Sequence, residues 1–151
     1  MEKTQLRGAV MLAALLTFPA AQAAEPSGPS QVGETQNEMA YFLSSSIPEK
    51  ELALLIKGAE ARDIPVYFRG LVGDSMEQTA RYMMHLVTTY HVKGVQVDPV
   101  RFEKYGVKQV PALVRKCGSQ SDILYGNLSF NDALRIMDTQ GDCAKAAAVR
   151  P

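Results

Sequence analysis

The sequence predicts an α/β domain, with a mostly parallel central sheet flanked by helices and a C-terminal β-hairpin and helix closing it. Three observations lead there. Short apolar, β-branched or aromatic runs alternate with segments whose apolar residues recur every three or four positions. Serine or aspartate stands three residues before glutamate at two of the helix starts, which is capping-box spacing. Two strand-like runs near the C-terminus are separated by Gly-Ser-Gln-Ser, a turn composition, and a further helical pattern follows them. Alternating units favour parallel strands, because crossover connections lay helices on the sheet faces.

The first 23 residues read as a targeting segment outside the fold. Lys3 and Arg7 give a positive start, Ala9 to Phe18 an apolar run, and Ala21-Gln22-Ala23 a small-x-small cleavage signature, so cleavage is expected after Ala23. A retained anchor would need about 18–20 apolar residues. Pro19 and Gln22 end this run sooner, so no membrane insertion is expected once the signal peptide is removed. Residues 24–38, rich in Pro, Ser, Gly and Gln, are expected as a flexible leader, with docking to a partner as their alternative use. The domain is expected over residues 39–143, followed by a short fraying tail over 144–151.

Within the domain, Ala40 to Leu43 is a short apolar strand. Ser46 and Glu49 have capping-box spacing, Pro48 is tolerated in a first turn, and Leu52, Leu55, Ile56 and Ala59 form the apolar stripe of a first helix. Ile64 to Leu71 reads as a strand buried on both faces. Asp74 and Glu77 repeat the capping spacing, and Met76, Ala80, Met83, Val87 and Tyr90 form the expected inward stripe of a second helix. Val95 to Val97 is a short strand, Pro99 to Tyr105 a helical turn, and Pro111 to Lys116 a strand that pairs back with Asp122 to Tyr125. Ser129 then opens a helix with Phe130, Ala133, Leu134 and Met137 inward.

Composition fits a single core: 151 residues, 46% hydrophobic and 21% charged. Formal net charge is zero and the sequence pI is about 6.7. There is no basic field to collect nucleic acid or anionic lipid, so the expected partners are proteins.

The junction between the first strand and first helix, Ser44, Ser45, Ser46 and Ile47, carries no thiol. Disulfide exchange needs an attacking sulfur and a sulfur leaving group, which serine cannot supply. No G-x-S-x-G motif or phosphate-cradling glycine loop accompanies the serines, so they read as turn and cap residues. His85 falls opposite the Met76 stripe and is expected in solvent, and His91 ends the helix. Two histidines six apart with distant cysteines have no zinc-site spacing, and no cofactor is expected.

A strand running into a helix, then Asp98-Pro99 leading to Phe102, Tyr105, Val107, Val110 and Pro111, a hairpin and a last helix together resemble the thioredoxin fold from Ala40 to about Met137. That resemblance implies a cis Val110-Pro111 bond beside the active-site turn, where Ser45-Ser46-Ile47-Pro48, or a residue to either side, replaces Cys-x-x-Cys. More narrowly, FLSSSIP, YFRGL and VQVDPVRFEKYGVKQVPALV behind a signal peptide resemble the TrbC proteins of F-type conjugative transfer systems. The resemblance implies a periplasmic, non-enzymatic role in conjugative pilus assembly within a type IV secretion apparatus, with a TraW-like protein and other assembly components as partners.

In an oxidising compartment, Cys117 and Cys143 are most simply a disulfide that pins the C-terminal helix to the sheet. Arg69, inside an apolar strand, is expected to pair with Asp98 if it is buried at all, since an unpaired buried guanidinium is costly. The expected partner-binding surface is Ser44 to Ile47, Arg69, Gly70, Leu71, Val110 and Pro111. A secreted thiol-disulfide isomerase and a structural subunit of the secretion channel are the alternative readings.

Overall fold

The computed structural model describes residues 37–148. The expected signal segment and residues 24–36 of the expected leader lie outside the described residues. In chain order the elements are β1 (Asn37–Leu43), α1 (Glu49–Glu60), β2 (Val66–Phe68), a 3-10 turn (Val72–Asp74), α2 (Met76–Tyr90), β3 (Gln96–Val97), α3 (Pro99–Lys104), β4 (Ala112–Cys117), β5 (Gln120–Tyr125), α4 (Phe130–Gln140) and α5 (Asp142–Ala148). β1 thus begins inside the stretch expected as leader: Asn37 and Glu38 pair with Cys117 and Lys116.

The sheet order is β3-β2-β1-β4-β5. β1, β2 and β3 pair in parallel, β4 lies antiparallel to β1, and β5 antiparallel to β4, so β4 alone runs against the other four strands. This is the thioredoxin-like arrangement that the resemblance implies, with a βαβ half joined to a hairpin and helix.

The pleat of β1 divides the core in two. Tyr41 and Leu43 point to one face with Val66, Phe68 and Leu113, where α1, Leu86 of α2, and Ala133 and Met137 of α4 cover them. Ala40 and Phe42 point to the other with Tyr67, Ala112 and Val114, under Phe102, Tyr105 and Val107. Phe42, Phe68, Leu43 and Leu52 are fully buried. Burial of side chains of this size contributes about 1.5–3 kcal/mol each, so these two layers hold the sheet edges in place.

Several element boundaries moved, each for a local reason. α1 starts after Pro48 rather than at Ser46 and has no side-chain cap. The Ser44 and Ser46 hydroxyls bond each other, and Ser44 Oγ also accepts from the Ser46 N–H, so the serines close a turn ahead of the helix. β2 keeps only the centre of the expected strand, because Pro65 has no N–H for the ladder and the chain leaves the sheet after Phe68. Its three residues are all buried, as expected for a strand covered on both faces.

The inward stripe of α2 is rotated by about one position from the expected one. Thr79 and Leu86 are buried with Tyr82, Met83 and Tyr90 partly so, whereas Met76 and Val87 are exposed. Ser75, not Asp74, caps the helix, accepting from the Gln78 N–H at 3.3 Å. Downstream, α3 is capped by Asp98 with Pro99 in its first turn. It closes with the Val107 N–H bonded to the Phe102 carbonyl and Gly106 at φ 64°, a Schellman ending that only glycine adopts without strain. The hairpin turn is Gly118-Ser119, shorter than the expected four residues because β5 begins at Gln120. Ser129 caps α4 as expected. α5 occupies the start of the stretch expected to fray, and residues 149–151 lie outside the described residues.

Candidate functional site

The strand register gathers the expected binding residues at one edge. Leu43 pairs with Phe68, Phe68 with Val97, and Phe42 with Ala112. The next residues outward on the parallel strands are therefore Ser44, Arg69 and Asp98, a row with neighbours about 4.8 Å apart along the sheet. The antiparallel register continued past Ala112 puts Pro111 beside Leu43 and Val110 beside Ser44. The Val110-Pro111 bond is cis, as the resemblance implied, and the Gly126 N–H donates to the Pro111 carbonyl at 2.9 Å. Ser45, Ser46, Arg69 and Gly70 are exposed, while Ile47, Leu71, Val110 and Pro111 are half-buried. Ile47 also packs against the core, so the serine turn is anchored at its far end.

Glu49, at the start of α1, ties this turn to α2. Its Oε1 accepts from the Tyr90 hydroxyl at 2.8 Å and lies 2.9 Å from His85 Nε2. The Tyr90 hydrogen bond, and then the one to His85, hold the Glu49 carboxyl below the usual carboxylate range. Its negative charge also suits a helix N-terminus. His85, expected free in solvent, is thus half exposed and engaged, and Thr89 Oγ1 lies 3.2 Å from its other nitrogen. His91 is the left-handed cap of α2.

The expected Arg69 to Asp98 contact does not form. Arg69 Nη2 donates to the Val107 carbonyl at 2.8 Å, and the guanidinium lies 5.1 Å from the Phe102 ring centroid. Asp98 is used by α3 instead, accepting from the Arg101 N–H at 3.1 Å and from Arg101 Nε at 3.0 Å. A carboxylate that caps a helix within its own segment wins over one that must reach to the next strand. Arg101 also pairs with Glu38 and sits 4.6 Å over the Tyr67 ring, and the Tyr105 hydroxyl donates to Glu38 at 2.7 Å. Burial lowers the Arg101 pKa, but Tyr67, Glu38 and Asp98 outweigh it and leave it raised. Burial and Glu38 push the Tyr105 hydroxyl up.

This Glu38, Arg101 and Tyr105 cluster, which fastens α3 to β1, was missed from the sequence. Its one local signal is the i, i+3 spacing of Asp98 and Arg101. Nothing in the pattern links Glu38 to Arg101, 63 positions on.

Cys117 and Cys143 form the expected disulfide, with Cα atoms 5.7 Å apart. It joins the end of β4 to the first turn of α5, since Cys143 lies inside that helix rather than after the last one. Pro111 immediately precedes β4 and Cys117 ends it, so the bridge stands about 20 Å from the cis-proline edge at the rise of an extended strand. Both cysteines of the chain are therefore committed away from the serine turn.

Comparison with known proteins follows the same line. The profile of the type-F conjugative transfer system pilin assembly protein family, TrbC, matches residues 41–150. Periplasmic protein TrbC of Escherichia coli (strain K12) is 38% identical over 118 residues, covering 78% of this chain and 56% of that protein. The chain thus spans 56% of the length of that relative, whose name places it in the periplasm, the compartment expected here. Among solved structures, MTB dsbF is similar over 66% of this chain and 76% of its own, at 20% identity and a TM-score of 0.45. A secreted Mycobacterium tuberculosis disulfide oxidoreductase homologous to E. coli DsbE is similar over 75% and 81%, at 19% identity and a TM-score of 0.40. Likeness at that level carries nothing about activity. The family match and the 38% identity do decide membership: this chain belongs to the TrbC family of type-F conjugative transfer system pilin assembly proteins.

Proposed function

We propose that this chain is a non-catalytic periplasmic assembly factor of the conjugative pilus. It holds a protein of the type IV secretion apparatus, a TraW-like protein first among the candidates, at the edge made by Ser44 to Ile47, Arg69 to Leu71, Val110 and Pro111. In this reading the mature chain begins after Ala23, and residues 39–143 form the binding domain.

The observation that carries it is that the strand-end edge holding Ser44, Arg69, Val110 and Pro111 adjoins a junction that has no sulfur. The turn that follows β1 is made of serines, Ser44 and Ser46 bonded to each other, and both cysteines are held in a bridge at the end of β4 away from Pro111. Without a thiolate there is no nucleophile for exchange. What is left at the edge is backbone at strand ends and a mixture of exposed polar and half-buried apolar side chains, which suits capture of an extended segment.

Co-purification from the periplasm of cells carrying the whole transfer region tests this, with the tagged wild type and a Pro111→Ala variant compared by mass spectrometry. The wild type should bring down transfer-apparatus proteins and a folded Pro111→Ala chain should lose them; equal capture by both would place the contact elsewhere. Insulin reduction addresses the isomerase alternative, and turnover dependent on Cys117 or Cys143 would overturn the non-catalytic reading.

One observation favours the channel-subunit alternative. Met76, Met84 and Val87 are 70%, 68% and 40% exposed on one face of α2, apolar surface that a permanent neighbour would cover. A mature domain that sediments as a stable monomer would count against it.

A further inference from the structure

Arg69 is held in place without a carboxylate. Arg81, Arg101, Arg115 and Arg135 each pair with an acidic side chain, whereas among the described residues Arg69 has no such pair. Arg62, which also lacks one, bonds the Gly58 carbonyl and Asn131 away from the strand-end row. Its fixed contacts are the Phe102 ring and the Val107 carbonyl. Those two contacts fix the planar fork while using one N–H, and the residue is exposed, so further donors remain for a second partner.

An open groove of about 340 Å³ adjoins it, walled by Pro99, Phe102 and Val107. Lys108 and Glu103, both exposed, line the same groove. Two cations against one anion leave a net single positive charge, which matches one carboxylate better than a dianion. The Cα side of Gly106 is open to approach, because nothing beyond its chain neighbours lies within 4 Å of the place a Cβ would occupy. The Tyr125 hydroxyl accepts from the Lys108 N–H and donates to the Gly106 carbonyl, so side chains and not this backbone would hold the ligand. Phe102 and Val107 are buried and the Arg69 guanidinium already faces the Phe102 ring, so the apolar wall open to a ligand is the exposed Pro99. Alternate side chains of an extended strand are about 6.6 Å apart on one face, so an apolar side chain resting on Pro99 would leave the residue two positions on in the same groove as Arg69.

We propose that this groove is the specificity subsite of the partner-binding edge. It takes an apolar side chain followed two residues later by an Asp or Glu side chain, from an extended segment of a partner protein. The apolar side chain lies on Pro99, and the carboxylate is bound by Arg69 with Lys108 nearby. This rests on the proposed function, since Arg69 belongs to that edge.

Titration of the 15N-labelled, disulfide-bonded mature chain with acetyl-Thr-Leu-Thr-Glu-Thr-amide, followed by NMR, tests it. Saturable shifts are expected at the amides of Phe102, Gly106, Val107 and Lys108. The peptide with Gln in place of Glu should bind about tenfold more weakly, and an Arg69→Gln chain should show the same loss for the Glu peptide. Added salt should weaken only the Glu peptide. No saturable shift, shifts confined to other surfaces, or equal binding of the two peptides would overturn the subsite. So would binding only of a peptide with a free terminal carboxylate, because the side-chain acid is what the groove is proposed to read. The two peptides on the wild-type chain keep the test decisive even if Arg69→Gln fails to fold. Failure here with Pro111-dependent co-purification intact would remove the subsite alone, whereas equal co-purification by the wild type and Pro111→Ala would remove the edge itself.

Discussion

Asp122 Oδ1 accepts the backbone N–H of Asp142 at 2.6 Å, so a carboxylate on β5 caps the first turn of α5. The Cys143 N–H donates to the same oxygen at 3.4 Å, and Asp122 is buried. Loss of an N-cap side chain costs about 0.5–2 kcal/mol. Asp122→Ala should lower the unfolding free energy measured in urea by an amount in that range, with a lower midpoint, and raise amide exchange across α5. An unchanged midpoint and unchanged exchange would mean that the disulfide alone holds the helix.

Gly141 gives a sharper steric prediction at the same joint. A Cβ there would fall well inside van der Waals contact of both the Asp122 carboxylate and the Met137 carbonyl, and the second of these is backbone that cannot swing aside. Overpacking of this kind costs about 1–3 kcal/mol. Gly141→Ala should therefore destabilise, measured by thermal melting; an equal or higher Tm would show that the turn between α4 and α5 can relax.

The disulfide should matter for stability and not for capture. Its residues are 26 positions apart, and closing a loop of that size contributes about 3–4 kcal/mol in the chain-entropy model. The Cys117→Ser, Cys143→Ser double variant should lose stability of that order in urea and, while still folded, retain partner capture, because the bridge lies at the far end of β4. Lost capture by a folded double variant would tie the bridge to the binding edge.

The tyrosines set an alkaline limit. Burial first, and then the charge of Glu51, raise the Tyr41 hydroxyl from 10.0 to about 12. Tyr67 and Tyr105 are raised as well, chiefly by burial. A group whose folded pKa lies above its unfolded one contributes stability in full below the unfolded value, and loses it as pH rises through the folded value. Stability should thus fall between about pH 10 and 12, with phenolate absorbance appearing together with loss of circular dichroism. Full titration of these hydroxyls near pH 10 in a chain that stays folded would contradict the burial described for Tyr41.

α2 and the serine turn mark where the sequence pattern stopped being readable. The helix itself was legible, but its phase was set by counting Met76, Ala80 and Val87 as core. Thr79 takes the inward place instead because its hydroxyl is satisfied twice, accepting from the Val72 N–H at 2.8 Å and donating to the Ser75 carbonyl at 2.7 Å. A polar residue with both roles filled can be buried at little cost, and no apolar count detects it. Ser46 and Glu49 have the spacing of a capping box, yet Glu49 is drawn to Tyr90, 41 positions away, and the box never forms. Arg69 was misassigned for the same reason: Asp98 was already committed to the helix that it starts. Features carried by local spacing and composition came through, including the Ser129 cap, the Pro99 start of α3 and the burial of β2 on both faces. Ser44 and Arg69 were legible as neighbours, because the C-terminal ends of parallel strands fall on one side of the sheet; their use as a binding edge belongs to the proposed function.

The most direct test of the binding edge is site-specific photo-crosslinking in the periplasm, with a photoreactive residue placed at Ser45 in one strain and at Lys57, in the last turn of α1, in another. Both positions are exposed, so labelling reports proximity to a partner rather than access. A crosslink from Ser45 to a transfer-apparatus protein, absent from Lys57 and reduced by Pro111→Ala, is the expected result. A crosslink from Lys57, or from the exposed Met84 of α2, with none from Ser45, would contradict the assignment of the cis-proline edge as the site of capture.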